Sequence, residues 1–383
     1  MAIGSGMSAQ IGYGLESTPG VAVDPTLFLP FRSESLEDTR ERVNSESIVA
    51  GRRVLDDDNW NGGPITVGGM VQHDLYDRGL GPLFKACFGG KATSGSGPYT
   101  HVFTPGALSS YTIQKGVPDV AGTVHPMTFA GNYVASFELA GEAGAIGSLG
   151  ITWAGMTAQA GSRVVTDGVT TNASTTVTSA SAVFSDADLY KSISGTGIPA
   201  NATIVAVASA TSITISAAAS ATGTGVSITI GKALATASFP SSQKLAKWNH
   251  AALTIGGTSV PIKGFTLSGD NALATDRRFL GTKHIAAPLE AGLRSYTGTF
   301  DTEFTDLSLY NRYLSGETFS VVAGFAIGTY SFGAVMNARF EPGSTPKVAN
   351  TGIVPQSHSF TCIGSTDAAA ITFNVTNGDV SIP

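Results

Sequence analysis

The sequence predicts a mainly β protein. Only 13% of its residues are charged, about half the share of an ordinary globular domain, and long surface helices depend on such charge. Its 47 Gly and 17 Pro punctuate runs of Ser, Thr, Ala and Val, a mixture that favours short strands and turns. Apolar residues then recur at alternate positions in many of these runs, the period of a strand with one buried face. With 383 residues and 42% apolar content, the chain has material for more than one core.

Taken in order, residues 1–25 are rich in Gly, Ser and Pro and read as a conformable N-terminal arm, with 26–31 a compact strand after it. The stretch 32–59 holds mixed charges, including Glu34, Asp38, Arg40, Arg42, Arg52, Arg53 and the run Asp56, Asp57, Asp58; it reads as a solvated loop or a surface that pairs with a neighbouring subunit. Residues 65–75 alternate around Gly68 and Gly69, as in a strand with a bulge or bend there. Pro82 near the start and Gly89-Gly90 at the end delimit a short helix over 83–88. Further strands are expected at 99–103, 109–114, 124–138 and 147–155.

Residues 163–231 form a compositional island of Ser, Thr, Ala, Val and Ile, with Arg163 and Lys191 its only basic groups. Its β-prone runs at 175–177, 203–207, 212–215 and 225–230 suit a small inserted β domain, and the alternation of Thr211-Ser212-Ile213-Thr214-Ile215 argues against a low-complexity linker. Beyond it, strands are expected at 252–255, 260–268, 294–304, 319–327, 330–340, 358–363 and 370–375, with a short helix over 306–313 capped by Asp306 and ended near Gly316. Residues 26–162 and 232–383 then form the two parts of one β core, with 163–231 inserted at a loop tip.

Charge and motifs narrow the function. A formal net charge of -6 supplies no concentrated positive field for tight nucleic-acid binding. Cys87 and Cys362 lie nearly a chain apart and read as buried thiols; the 6 His residues lack metal-site spacing. Gly79-Leu80-Gly81-Pro82 is no phosphate loop, because Pro82 lacks an N–H and no Lys-Ser/Thr pair follows. No cofactor is indicated, and no G-x-S-x-G elbow occurs; Glu138, Glu142 and Glu303 do not by themselves establish a glycosidase pair. The start lacks a secretory signal and no apolar run has membrane-spanning length, so synthesis in the cytosol is expected; Met7 would also serve as a natural start. Sheets with little edge charge must be closed, covered or completed by a partner chain, which makes assembly the expected outcome.

Several stretches carry a resemblance. Gln10-Ile11-Gly12-Tyr13-Gly14-Leu15-Glu16-Ser17-Thr18-Pro19-Gly20-Val21 with Pro25, then Phe28-Leu29-Pro30-Phe31-Arg32-Ser33-Glu34-Ser35-Leu36, Ala50-Gly51-Arg52-Arg53, and the Gly68-Gly69 pair ahead of 80–90 are similar to the major tail tube proteins of long-tailed, siphovirus-like bacteriophages. The resemblance covers roughly residues 8–160 and 240–363. It implies a β-sandwich or barrel-like core with a short flanking helix, hexameric rings stacked into a hollow tube, and transient, non-specific passage of double-stranded DNA during genome ejection. It further implies tape measure, tail terminator and baseplate proteins as partners, assembly in the host cytoplasm, a place in the virion tail and a structural rather than enzymatic role. The island departs from a minimal tube subunit. Around Gly195-Thr196-Gly197-Ile198-Pro199-Ala200-Asn201 it resembles small β modules of phage structural proteins, which would project from the outer wall and whose removal would thin the tube. Another tail or baseplate component, or a host-surface-binding module, is the alternative reading.

Within the tube reading, the segments 34–58 and 270–290 are the expected contacts between subunits or rings, with the N-terminal arm ordering on assembly. The residues concerned are Arg40, Arg42, Arg52, Arg53, Asp56, Asp57, Asp58, Arg277, Arg278 and Lys283. The pairs Arg277-Arg278 and Lys283-His284 serve equally as subunit contacts or as ordinary solvated ends.

Overall fold

The computed structural model describes residues 5–48, 51–54, 60–348 and 351–382. The alternation seen in the sequence becomes two antiparallel layers of one 19-stranded sheet system. In the first layer Trp60–Asp74 pairs with Ser148–Gly155, which pairs with the second half of Val124–Glu142. Gly264–Asp270, Ser295–Glu303 and Pro355–Cys362 follow in turn. The second layer runs Ala251–Ile255, Phe319–Ile327, Tyr330–Phe340, Ile371–Asn377, Tyr99–Pro105 and Gly89–Ser94. Tyr330–Phe340 joins the layers, since Ala338, Arg339 and Phe340 pair with Cys362, Thr361 and Phe360 of the first.

Burial follows the two-residue period. Ser295–Glu303 buries Tyr296, Phe300 and Thr302 and presents Ser295, Thr297, Thr299 and Asp301 to solvent. Phe319–Ile327 in the facing layer does the same in the opposite phase. Ring centroids of Phe265 and Phe325 lie 5.7 Å apart and those of Phe300 and Phe340 6.2 Å apart, so the two apolar faces meet in one core. The helix Gly81–Phe88 is plugged into that core, with Pro82 at its first turn and Gly89 at φ 91° ending it, as the sequence predicts. The second helix, Ser308–Ser315, is also where the sequence places one; Asp306 accepts from Ser308 N at 2.7 Å and Gly316 closes it at φ 64°.

Four local expectations are corrected. Residues 10–15 are no free arm: Gln10–Leu15 pairs with Tyr111–Pro118 and with Leu27–Phe28, and Ile11 and Tyr13 are buried. The Tyr13 hydroxyl donates to His73 Nε2 at 2.8 Å and His73 Nδ1 donates to Pro30 O at 2.7 Å, so core contacts outweigh the flexibility that Gly and Ser suggest. The expected 26–31 strand shrinks to Leu27–Phe28, because Pro30 has no N–H to extend a ladder. Third, Glu37–Asn44, inside the stretch read as a loop, is a strand paired with Trp60–Asp74. Fourth, of the bulge or bend expected at Gly68 and Gly69 the bulge is absent, since pairing passes through them without a register shift, though both have positive φ, 155° and 144°; the bulge falls between Arg40 and Arg42. The glycine pair instead permits close approach, since a Cβ on Gly69 would stand 2.2 Å from Ser35 O.

Val124–Glu142 links the first layer to a further part of the same sheet system because it bends at Gly131, where φ is 71°. Its first half pairs with Tyr111–Pro118, its second with Ser148–Gly155. Buried Asn132 answers the interrupted ladder, its Nδ2 donating to Tyr111 O at 2.9 Å and Phe129 O at 2.8 Å.

Residues Ser162–Thr170 to Gly223–Gly231 build a separate six-stranded sheet. Val177, Ile204, Ile213, Ile228 and Ile230 lie in a hydrophobic cluster of its own. Its first and last strands are neighbours, with Ser162 opposite Gly231.

Core chemistry gives one pH prediction. His358 is wholly buried between Phe300 and Phe340, at centroid distances of 5.0 and 4.8 Å, and neither ring nitrogen has a partner among the described residues. Burial lowers its pKa from 6.5 to about 4, so the folded protein holds it neutral. Stability is therefore full above pH 6.5 and falls as pH drops toward 4, by about 3 kcal/mol for this group. Urea titrations at pH 7 and pH 4 should show that loss, and His358→Leu should reduce it; an unchanged pH dependence would assign the acid sensitivity elsewhere.

Candidate assembly surfaces

Glu37–Asn44 and the start of Trp60–Asp74 form a hairpin arm whose outer strand is exposed at every residue. Its charges are arranged along that strand: Asp38 Oδ2 accepts from Arg40 Nε at 2.8 Å, and the Arg42 guanidinium lies 5.0 Å from the Trp60 ring centre. Such exposed pairs contribute little to folding.

The loop between Leu273–Ala274 and Leu289–Glu290 is folded onto the base of this arm. Ile65 N donates to Lys283 O at 2.8 Å, and Arg278 donates to Thr66 Oγ1 at 2.7 Å. Arg277 closes the loop on itself through Ala287 O at 2.7 Å, while Ala286 N donates to Arg277 O at 2.8 Å. Two stretches more than two hundred positions apart in the chain thus form one surface. Arg40 and Lys283 line a groove of about 410 Å³ with Glu41, Gly62, Tyr190 and His284. Arg42 stands farther out on the arm, and exposed Arg52 and Arg53 lie in the connection between its strands. Asp56, Asp57 and Asp58 fall outside the described residues.

A second surface, which the sequence reading did not single out, is the outer face of the first layer. Met70, Gln72, Ser136, Glu138, Ser148, Thr152, Ser268 and Asp270 surround a shallow groove of about 280 Å³ on it. The strands Trp60–Asp74, Val124–Glu142, Ser148–Gly155, Gly264–Asp270, Ser295–Glu303 and Pro355–Cys362 contain no Lys or Arg. Cations meet this face from flanking segments, Arg32 on Asp74 and Lys263 on Glu303. The signal was present as Ser, Thr, Asp and Glu at alternate positions of 295–303, but the chain alone does not tell which strands share a face.

The six-stranded sheet meets the core beside the 277–286 loop. Gln159 Oε1 accepts from Ser192 N at 3.3 Å, and the rings of Tyr190 and His284 touch edge-on at 4.4 Å between centroids. His284 Nδ1 donates to Met156 O at 3.2 Å, and burial lowers the pKa of this imidazole. Nearby Asp188 is buried; burial pushes its carboxyl up, but hydrogen bonds from Lys191 and Arg163, at 3.0 and 2.7 Å, outweigh it and hold the group ionised.

Extended antiparallel layers, an exposed charged arm and a broad face of small polar side chains define a β-rich protein whose distinctive features are surfaces. The chain belongs to the phage tail tube protein family, whose model matches residues 6–239 and 208–364. No curated protein matches it. Membership gives the chain a structural role in the virion tail and self-assembly into a tube. Among the described residues no helix is long and apolar enough to cross a membrane.

Proposed function

We propose that the chain forms sixfold rings that stack into the tail tube of a siphovirus-like phage, with the outer face of the first layer lining the bore. The observation that carries this reading is the run of strands without a single Lys or Arg, bearing Glu138, Glu142, Asp270, Asp301 and Glu303 among Ser, Thr and Gly. A bore must let the genome leave without holding it. Basic side chains would bind the duplex by counterion release, whereas an acidic, small-residue wall repels phosphate and offers no groove contacts. The arm, including Arg40, Arg42, Arg52 and Arg53, and the loop carrying Arg277, Arg278 and Lys283 then mediate contacts between subunits or rings.

Residues 163–231 are read as an inserted domain on the outer wall. Its separate apolar cluster and the adjacency of Ser162 and Gly231 support insertion at one point of the core. On the same reading, tape measure, tail terminator and baseplate proteins are its partners, and assembly takes place in the host cytoplasm.

Electron microscopy of assembled tubes tests the arrangement: six subunits per ring, the Glu138 and Asp270 face inward and a knob outside are expected, and a different inward face would overturn it. Glu138→Lys with Asp270→Lys is expected to leave tubes intact but make them retain double-stranded DNA, in a manner lost as salt is raised. Equal DNA retention by both tubes would remove this face from the bore.

A further inference from the structure

We infer that Tyr190 is a positioning residue, through which the six-stranded sheet sets the 277–286 loop against the base of the arm. The inference rests on the reading of that loop as an assembly contact. Tyr190 occupies a left-handed backbone conformation, φ 65°, which a bulky residue adopts only when its surroundings hold it there. Those surroundings are bonded on both sides of it. Tyr190 N donates to Ile204 O at 2.8 Å, Ile204 N donates to Lys191 O at 3.0 Å, and buried Asp188 binds both Lys191 and Arg163. Gln159 fixes Ser192, two positions on, to the core.

From this mount the ring projects to His284, which is itself tied to Met156 O. Tyr190 lines the groove against Arg40, Gly62 and Lys283, and also the neighbouring one against Phe279, Thr282 and Ala286. One side chain thus stands between two grooves, one bounded by the arm and the other by the loop. Lys283, next to His284, and Arg278, next to Phe279, are bonded to Ile65 and Thr66 of the arm. A glycine would suit the backbone of residue 190 better; a tyrosine there supplies reach. Removing the whole six-stranded sheet would take this wedge away, so a merely thinner tube is not the expected result of that deletion.

Hydrogen exchange on the full chain, with tube formation measured on the same samples, tests the inference. Tyr190→Gly removes the ring while relieving the backbone, so the six-stranded sheet should stay protected. Exchange across 281–286 and at Ile65 should rise roughly two- to tenfold, as expected for losing one aromatic contact, and the concentration needed for tubes should rise. Tyr190→Phe, which keeps the ring, should behave as the parent, and His284→Ala should copy Tyr190→Gly. Unchanged exchange in 281–286 in Tyr190→Gly overturns the positioning role. Faster exchange with unchanged tube formation keeps that role and overturns the loop's part in assembly instead.

Discussion

Replacing residues 45–59 by a two-residue Asn-Gly turn is expected to give a folded monomer that no longer forms tubes. Asn44 and Trp60 stand directly opposite each other at the end of the ladder, the geometry a two-residue hairpin loop closes. The outer strand of the arm is exposed throughout and its ladder to Trp60–Asp74 is kept, so the core should still fold. On the proposed reading assembly loses contacts, because the shortened protein lacks Arg52, Arg53 and Asp56 to Asp58. Excising 40–58 outright is a poorer experiment, since it also removes the strand bonded to Gly62 and Ile65. Negative-stain microscopy with light scattering distinguishes the results: tubes at parental yield would show that the connection takes no part in assembly.

Phe88→Ala is expected to destabilise the core by about 3–5 kcal/mol, the largest effect of a single side chain proposed for this protein. Phe88 is the last residue of the plugged helix and is wholly buried. Its ring lies 5.1 Å from Phe137 and 5.8 Å from Tyr296 in the first layer, and 5.6 Å from Phe373 in the second. One truncation therefore opens a cavity where helix and both layers meet, and rigid neighbouring strands cannot collapse into it. The Phe88 carbonyl would keep its bonds from Gly106 N and Arg294, so the loss is one of packing. Urea unfolding followed by the emission of buried Trp153 should show it, with Val120→Ala, an exposed site, within about 0.5 kcal/mol of the parent. A loss below about 1 kcal/mol for Phe88→Ala would mean that the layers repack around the gap.

The difference between legible and illegible elements is physical. Strands such as Phe319–Ile327 and Tyr330–Phe340 match their expected bounds because one face is buried, which forces apolar residues to every second position. The helix Gly81–Phe88 announces itself through Pro82 and Gly89, whose backbone constraints act locally. Glu37–Asn44 leaves no such trace: with both faces in solvent it has no reason to alternate, and only its hydrogen bonds to Trp60–Asp74 make it a strand. Gln10–Leu15 escapes for the opposite reason, since Gly12 and Gly14 hide a strand whose glycines make room for Phe28 and Val23.

The candidate surfaces divide the same way. Arg40, Arg42, Arg277, Arg278 and Lys283 could be singled out by type and setting, and the strands of the first layer could be read as alternating. That Lys283 and Ile65 would share a hydrogen bond, that Tyr190 would reach His284, or that carboxylates of separate strands would come to one face could not. From its sequence the protein has its β class, most of its strands, its short helices and its poverty of positive charge, because each of these is written in local composition and period. Which strands lie side by side, and hence which residues compose the arm's base and the acidic face, is decided by pairing between distant segments, where register and burial are settled only when the whole sheet closes on its core.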